Sequence, residues 1–276
     1  MTKYDAMKKE LLLQCSKILP IKIKKGIAKG MTLYGDFFYN RRAENLNDEE
    51  VLFAGLELEG KTVLEAGAHL GIYSLYFARK VRSGKLVLFE PNPLNYFFLR
   101  KNLQANFFQA PIQVNCGLSN SPGKLRFVSK RYNSAKGTFK TDKHEILKLG
   151  QPSVFEQDIE VITIDQAVER FKLDRVDFVK IDTEGYEPHV IEGMRATLQQ
   201  FKPTLYFEIH GLNKRQQQGD LERVFKHIEP HGYQIWKLDA GLPRITQTNI
   251  SEFGGGGYLA FTDLSADLER TLQHWA

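Results

Sequence analysis

Cysteine is scarce in this chain: Cys15 and Cys116 are the only two in 276 residues, and they lie far apart. They offer neither a disulfide framework nor a metal-ligand spacing, so a reducing, cytoplasmic setting is the expectation. No apolar run approaches the ~20 residues of a membrane span. The N-terminal lysines are not followed by an apolar core of signal-peptide length, and no repeat of solenoid period is present. The dinucleotide fingerprint is incomplete as well. Gly67 and Gly71 stand four apart with Ala68-His69-Leu70 between them, so the three-glycine pattern is missing. A pyrophosphate cradle is disfavoured, and Glu65 beside the turn repels a phosphate.

What is present begins with 42% hydrophobic residues, enough for one substantial core. The net charge of +5 is uneven. Residues 1–30 carry eight lysines against Asp5 and Glu10, a local +6, and the rest of the chain is close to neutral. Such an arm suits an anionic membrane surface, a phosphorylated substrate or nucleic acid; the plainest reading is a solvated helix face.

The pattern predicts an amphipathic helix over 3–19, an aromatic loop or short strand over 31–45, and a helix over 47–58 capped by Asn47 or Asp48. Alternation then starts. Strands at 62–65, 85–90, 111–115, 176–181 and 204–209 are separated by helices at 71–81, 93–106, 164–171 and 188–201, with short strands near 124–128 and 158–163. A helix at 219–230, strands at 233–237 and 257–262 and a helix at 264–274 close the chain. Strands alternating with helices imply an α/β, doubly wound, mostly parallel sheet; the last two strands suit an antiparallel pair. Residues 129–157 interrupt the rhythm as a long loop, rich in cations (Lys130, Arg131, Lys136, Lys140, Lys143, Lys148) and carrying Tyr132. Gly254 to Gly257 read as a flexible turn or lid hinge.

In such sheets ligands sit outside the carboxyl ends of the strands. Those ends here carry Glu65, Glu90, Cys116-Gly117, Asp182-Thr183-Glu184-Gly185 and Glu208-Ile209-His210. A glycine turn admits close backbone approach, and a carboxylate ending the next strand suits a ribose diol. Several acidic ends on one rim repel one another unless a ligand, proton or cation relieves them. Asp182, Glu184, Glu208 and His210 are candidate bases. The set Asp182, Glu208 and His210 is an alternative site for magnesium or manganese, less favoured.

These motifs, from Glu65 to Ser74, Phe89-Glu90-Pro91-Asn92-Pro93, Asn102 to Asn106, Thr163-Ile164-Asp165 and Lys180 to Glu187, together with the closing strand Pro203 to Glu208, resemble the FkbM-type methyltransferases over roughly residues 60–210. Two positions depart from the family: Glu65 stands where it usually has aspartate, and His69 where it usually has asparagine. The resemblance implies a seven-stranded, class I methyltransferase (Rossmann-like) domain over 59–276, with an N-terminal helical extension over 1–58. It also implies S-adenosylmethionine as cofactor. Glu65, Gly67, Ala68, His69 and Gly71 would hold its methionine part, and Glu90, with Asn92 nearby, its ribose. Cys116 and Gly117 would border the adenine, and Asp182 would lie near the transferring methyl. The acceptor implied is a hydroxyl of a sugar, glycan or natural product, shaped by residues 31–47, 129–157 and 238–256, with Tyr34, Phe37, Phe38, Tyr39, Tyr132 and Trp236 among the contributors. A nicotinamide-dependent oxidoreductase and a nucleic-acid binding module are the weaker readings; no nucleic acid partner is expected.

Overall fold

The computed structural model describes residues 3–42, 44–108, 110–130, 133–148 and 154–275. Arg131 and Tyr132 lie outside these residues.

Five short strands form the parallel heart of the main sheet. Thr62–Ala66 is flanked by Phe178–Ile181 on one side and Lys85–Phe89 on the other. Thr204–Ile209 extends the first flank and Ile112–Val114 the second. Apolar residues fill these strands because helices cover both faces of a doubly wound sheet. The order runs outward from Thr62–Ala66 in both directions, so the chain reverses its winding between this strand and Phe178–Ile181. That reversal opens a crevice at the carboxyl ends.

Gly256–Phe261 joins antiparallel to Thr204–Ile209 and to Gln234–Lys237, as expected for the last two long strands. An eighth strand, Arg244–Ile245, pairs with Gln234–Lys237. Among the described residues the sheet therefore has eight strands rather than seven. Two residues at an edge are too few to show a period of two in the sequence.

The second difference is larger. Residues 129–157 are not a long loop. Gly123–Lys130, Asn133–Thr138 and Val154–Ile162 build a four-stranded sheet with Gly117–Leu118, and Thr141–Lys148 is helical. The short strands expected near 124–128 and 158–163 belong to Gly123–Lys130 and Val154–Ile162; lysines and glutamates masked their full length because much of both faces solvent. Phe127 and Phe139 seal the inner side against Tyr186.

The helix expected over 188–201 is two, Glu187–Glu192 and Arg195–Phe201. A Cβ on Gly193 would lie 2.0 Å from the Ser119 carbonyl oxygen, and the Asp165 carboxylate caps the second helix through the amides of Ala196 and Thr197. The N-terminal segment shares the core of the sheet. Ile23, Ile27, Met31 and Leu33 pack in one apolar cluster with Val63, Leu75 and Phe77.

Candidate active site

The turn after Thr62–Ala66 starts the site. Gly67 has φ 85°, and a Cβ there would come within 1.9 Å of the Asp182 carbonyl oxygen. Only glycine allows the two strand ends to meet so closely. Gly71, at φ 89°, caps the helix Ile72–Val81 and lets it settle on Leu99. It shapes the turn but does not line the cavity. His69 also adopts a left-handed backbone, φ 51°, and its amide donates to Glu90 Oε2 at 2.7 Å.

Glu90 is buried. Its Oε1 accepts from the Asn92 amide at 2.8 Å and from Asn95 Nδ2 at 3.2 Å. Burial pushes its pKa to about 7, against the pull of these hydrogen bonds. Asn92 turns out to be a helix cap: its Oδ1 accepts from Leu94 N at 2.9 Å, and its Nδ2 donates to Ser129 Oγ. It holds the start of Pro93–Ala105 and does not face the cavity, which corrects the role given to it from sequence. Asn115 fastens the next strand end by donating to the Glu90 carbonyl oxygen at 2.8 Å.

Glu65, Gly67, Ala68, His69, Glu90, Cys116, Gly117 and Asp182 all line one cavity of about 260 Å³. Most of the residues the sequence singled out thus converge; Gly71 and Asn92 act one layer behind, and Glu208 and His210 line a separate pocket. Burial raises the Cys116 thiol to about 12, so it serves as an apolar wall. Burial also lowers His69 to about 4, leaving the imidazole neutral.

Charge under the cavity floor is organised by Lys180, which the sequence reading quoted but gave no role. In the parallel ladder Lys180 sits directly beside Glu65. Its ammonium, 1% exposed, lies 3.2 Å from Asp182 and 3.5 Å from Glu49, above the Tyr73 ring at 5.0 Å. Burial opposes its charge, yet the three carboxylates raise its pKa. Burial likewise works to raise Asp182, but Lys180 together with His210 and His69 outweighs it and holds that carboxyl below its usual value. Glu65, bonded by Ser74 Oγ, is raised to about 7 by burial despite Lys180. The sequence signal was a lone lysine in the apolar strand Phe178–Ile181.

A second pocket, about 610 Å³, opens on the far side of Glu184 and is lined by Glu208, His210, Lys130, Lys143, Gln217 and Gly256 among others. Glu184 belongs to both walls. Its backbone is left-handed, φ 55°, a costly conformation for a residue with a side chain, and Lys143 Nζ donates to its carbonyl oxygen at 2.8 Å. Burial raises the Glu184 carboxyl, and the Glu208 carboxyl too.

His210 differs from its expected role as a base. Burial alone would lower its pKa. The hydrogen bond and charge of Glu187 outweigh burial, with help from Asp182 and Glu184, and bring it to about 10. The ring is an imidazolium at neutral pH and cannot accept a proton. Glu187, read from sequence only as a favourable helix-start charge, is a central clamp. It is fully buried, and its Oε1 also accepts from the amides of Thr183 and Gly185 at 3.0 and 2.9 Å.

Asp182, Glu208 and His210 offer ligand atoms within 4.8 Å of one another. Cations of the protein already face them: Lys180 lies 3.2 Å from Asp182, and His210 faces both Asp182 and Glu208. A divalent ion there would have to displace the His210 proton and share Asp182 with Lys180.

Among the aromatics assigned to the acceptor, Tyr39 lines the first cavity. Trp236 packs into the core, and Phe38 is exposed beneath Arg41. The glycine run is not a loose hinge: Gly255 is held by Gln217 Oε1 at its amide and by Lys237 Nζ at its carbonyl.

The winding reversal, the glycine turn and the acidic strand ends around one cavity define a class I methyltransferase fold. The sequence matches the methyltransferase FkbM domain over residues 65–235, and the chain belongs to that family. Methyltransferase sdnD of Sordaria araneosa is 29% identical over 154 residues, covering 48% of this chain and 60% of that protein. Hexuronic acid methyltransferase AglP of Haloferax volcanii is 28% identical over 144 residues, covering 51% and 53%. The chain thus spans little more than half the length of these relatives. Among solved structures, a methyltransferase FkbM from Methylobacillus flagellatus KT superposes with a TM-score of 0.46 at 16% identity, over 73% of this chain and 44% of that one.

Proposed function

We propose that the protein transfers a methyl group from S-adenosylmethionine to an oxygen of a sugar, glycan or related natural product. One observation carries this reading: Glu184 stands in the wall shared by a nucleoside-sized cavity and a larger polar pocket.

The donor set suits the cofactor. A carboxylate has about four lone-pair positions; His69, Asn92 and Asn95 use three of those on Glu90. Oε2 keeps capacity for a ribose hydroxyl. Glu65 and Asp182 supply negative charge toward the ammonium and sulfonium, and neutral His69 adds no repulsion. When bound, the cofactor supplies an electrophilic methyl on a good leaving group.

The protein's task is then alignment and deprotonation. Holding acceptor and methyl in line is worth about 7–11 kcal/mol. Of the four candidate bases, Asp182 is weakened by Lys180 and His210 already carries its proton. Glu208 lines only the acceptor pocket. Glu184 reaches both spaces, and burial strengthens it as a base. The Glu187 clamp fixes the Thr183–Gly185 backbone around it. In the acceptor pocket Lys130, Lys143 and the His210 imidazolium outnumber Glu184 and Glu208 by one charge, which suits an acidic sugar such as the hexuronic acid named for the Haloferax volcanii relative.

The test is incubation of the purified protein with S-adenosylmethionine and panels of neutral and acidic glycans, read by mass spectrometry. A gain of one methyl on a glycan supports the reading. Cofactor binding with no methyl gained on any hydroxyl or carboxyl acceptor contradicts it.

A further inference from the structure

The helix Lys3–Ile18 carries an apolar stripe that nothing among the described residues covers. Met7, Leu11 and Ile18 are 67%, 64% and 74% exposed, and Leu19 just beyond is 57% exposed. At 100° per residue Met7, Leu11 and Ile18 fall within about 40° of one another, with Gln14 at the edge of the arc, hydrogen-bonded to Glu10 and Lys17. The opposite face is the packed one: Ser16 is buried there, and its carbonyl oxygen accepts from the Gly35 amide.

Two neighbouring elements extend the exposed surface. Lys101 donates to the Lys17 carbonyl oxygen, which brings Pro93–Ala105 and its 45%-exposed Phe97 beside the helix end. Asn106 holds the hairpin strand Thr32–Leu33 through the Thr32 amide, which places Phe107, 88% exposed, next to it. Lysines are dense in this segment, with Lys8 and Lys17 on the helix and Lys22, Lys24 and Lys29 following it in the chain. Among the described residues, Lys8, Lys17, Lys22, Lys24 and Lys29 form no ion pair. Lone exposed apolar residues need no explanation, but a stripe on one helix face edged by lysine does.

We propose that this face lies on an anionic lipid surface, with the stripe sunk at the headgroup boundary and the lysines meeting lipid phosphates. The sign of the charge selects this occupant. A second copy would bring the same +6 segment against its own like, whereas an apolar stripe flanked by lysine is the pattern of an interfacial helix. Lys130 lines both the cleft beside this helix and the polar pocket at Glu184, so the docking face and the pocket are neighbours.

Co-sedimentation with vesicles of phosphatidylcholine alone, and with about 30% phosphatidylglycerol, tests this. The wild-type protein should pellet with the anionic vesicles only, and less so at raised salt. The triple variant M7E/L11E/I18E and the variant K22Q/K24Q should each partition about tenfold or more weakly, with unchanged circular dichroism because these side chains face solvent. Equal partition of wild type and triple variant would overturn the proposal, as would equal binding to neutral vesicles. A concentration-dependent dimer lost in the triple variant, without vesicle binding, would assign the face to a second copy instead.

Discussion

His210 Nδ1 lies 3.3 Å from Oε1 of Glu187, a carboxylate with no exposed surface, and this contact sets the charge of His210 in the pocket beyond Glu184. The folded-state pKa of about 10 stands above the ordinary 6.5. The stability this contributes is therefore fully present below pH 6.5 and is lost as pH rises through about 10. The gap in unfolding midpoint between wild type and H210Q should shrink across that window. In E187Q the imidazole should titrate well below its wild-type value by NMR; a His210 that still titrates near 10 would show that another group holds its proton.

Glu65 and Glu90 work in the opposite direction. Both have folded pKa values near 7 against an ordinary 4.5, chiefly through burial. The folded protein holds more protons than the unfolded chain between these values, so stability falls as pH rises through 7. Each shift corresponds to roughly 3 kcal/mol at neutral pH. Denaturant midpoints should drop between about pH 5 and 8 in the wild type and less steeply in E65Q; identical slopes would place the proton elsewhere.

Lys180 holds three carboxylates together. K180M should lower stability by about 3–5 kcal/mol, because Asp182 and Glu49 lose a buried partner. Adding E49Q should recover part of that loss, as a denaturation series on the single and double variants would reveal. A loss in K180M below about 1 kcal/mol would mean the ammonium is not needed to hold the floor.

Glu184 should separate chemistry from binding. E184Q is expected to lower kcat by about 10²–10⁴ with S-adenosylmethionine affinity within about twofold of wild type. E208Q should cost less, because Glu208 borders only the acceptor pocket. If E184Q turned over normally and D182N did not, the base would be Asp182.

The parallel half of the fold was legible because it follows simple rules. Strands such as Thr62–Ala66 and Phe178–Ile181 end in acidic or glycine turns, and the helices between them have caps and periodicity. Of the four-stranded sheet over 117–162, only parts of Gly123–Lys130 and Val154–Ile162 were legible, as short strands near 124–128 and 158–163; their full length and the partners Gly117–Leu118 and Asn133–Thr138 were not, since the two long strands expose one face and carry mixed charge along it. Within the site, the strand-end residues were legible by position alone. What sequence concealed were effects of proximity: Lys180 as counter-charge to strand neighbours, Glu187 reaching back to the turn and to His210, and Asn92 spent on a helix cap.

The central claim is that the acidic strand ends hold a sulfonium nucleoside in one cavity, with Glu90 on its ribose. Calorimetric titration of S-adenosylmethionine into the wild type and E90A tests it most directly. Loss of a hydrogen bond to a charged group should weaken binding by about 10–100-fold in the variant. Equal affinity in the two proteins, or a wild type that binds a nicotinamide dinucleotide and not S-adenosylmethionine, would contradict it.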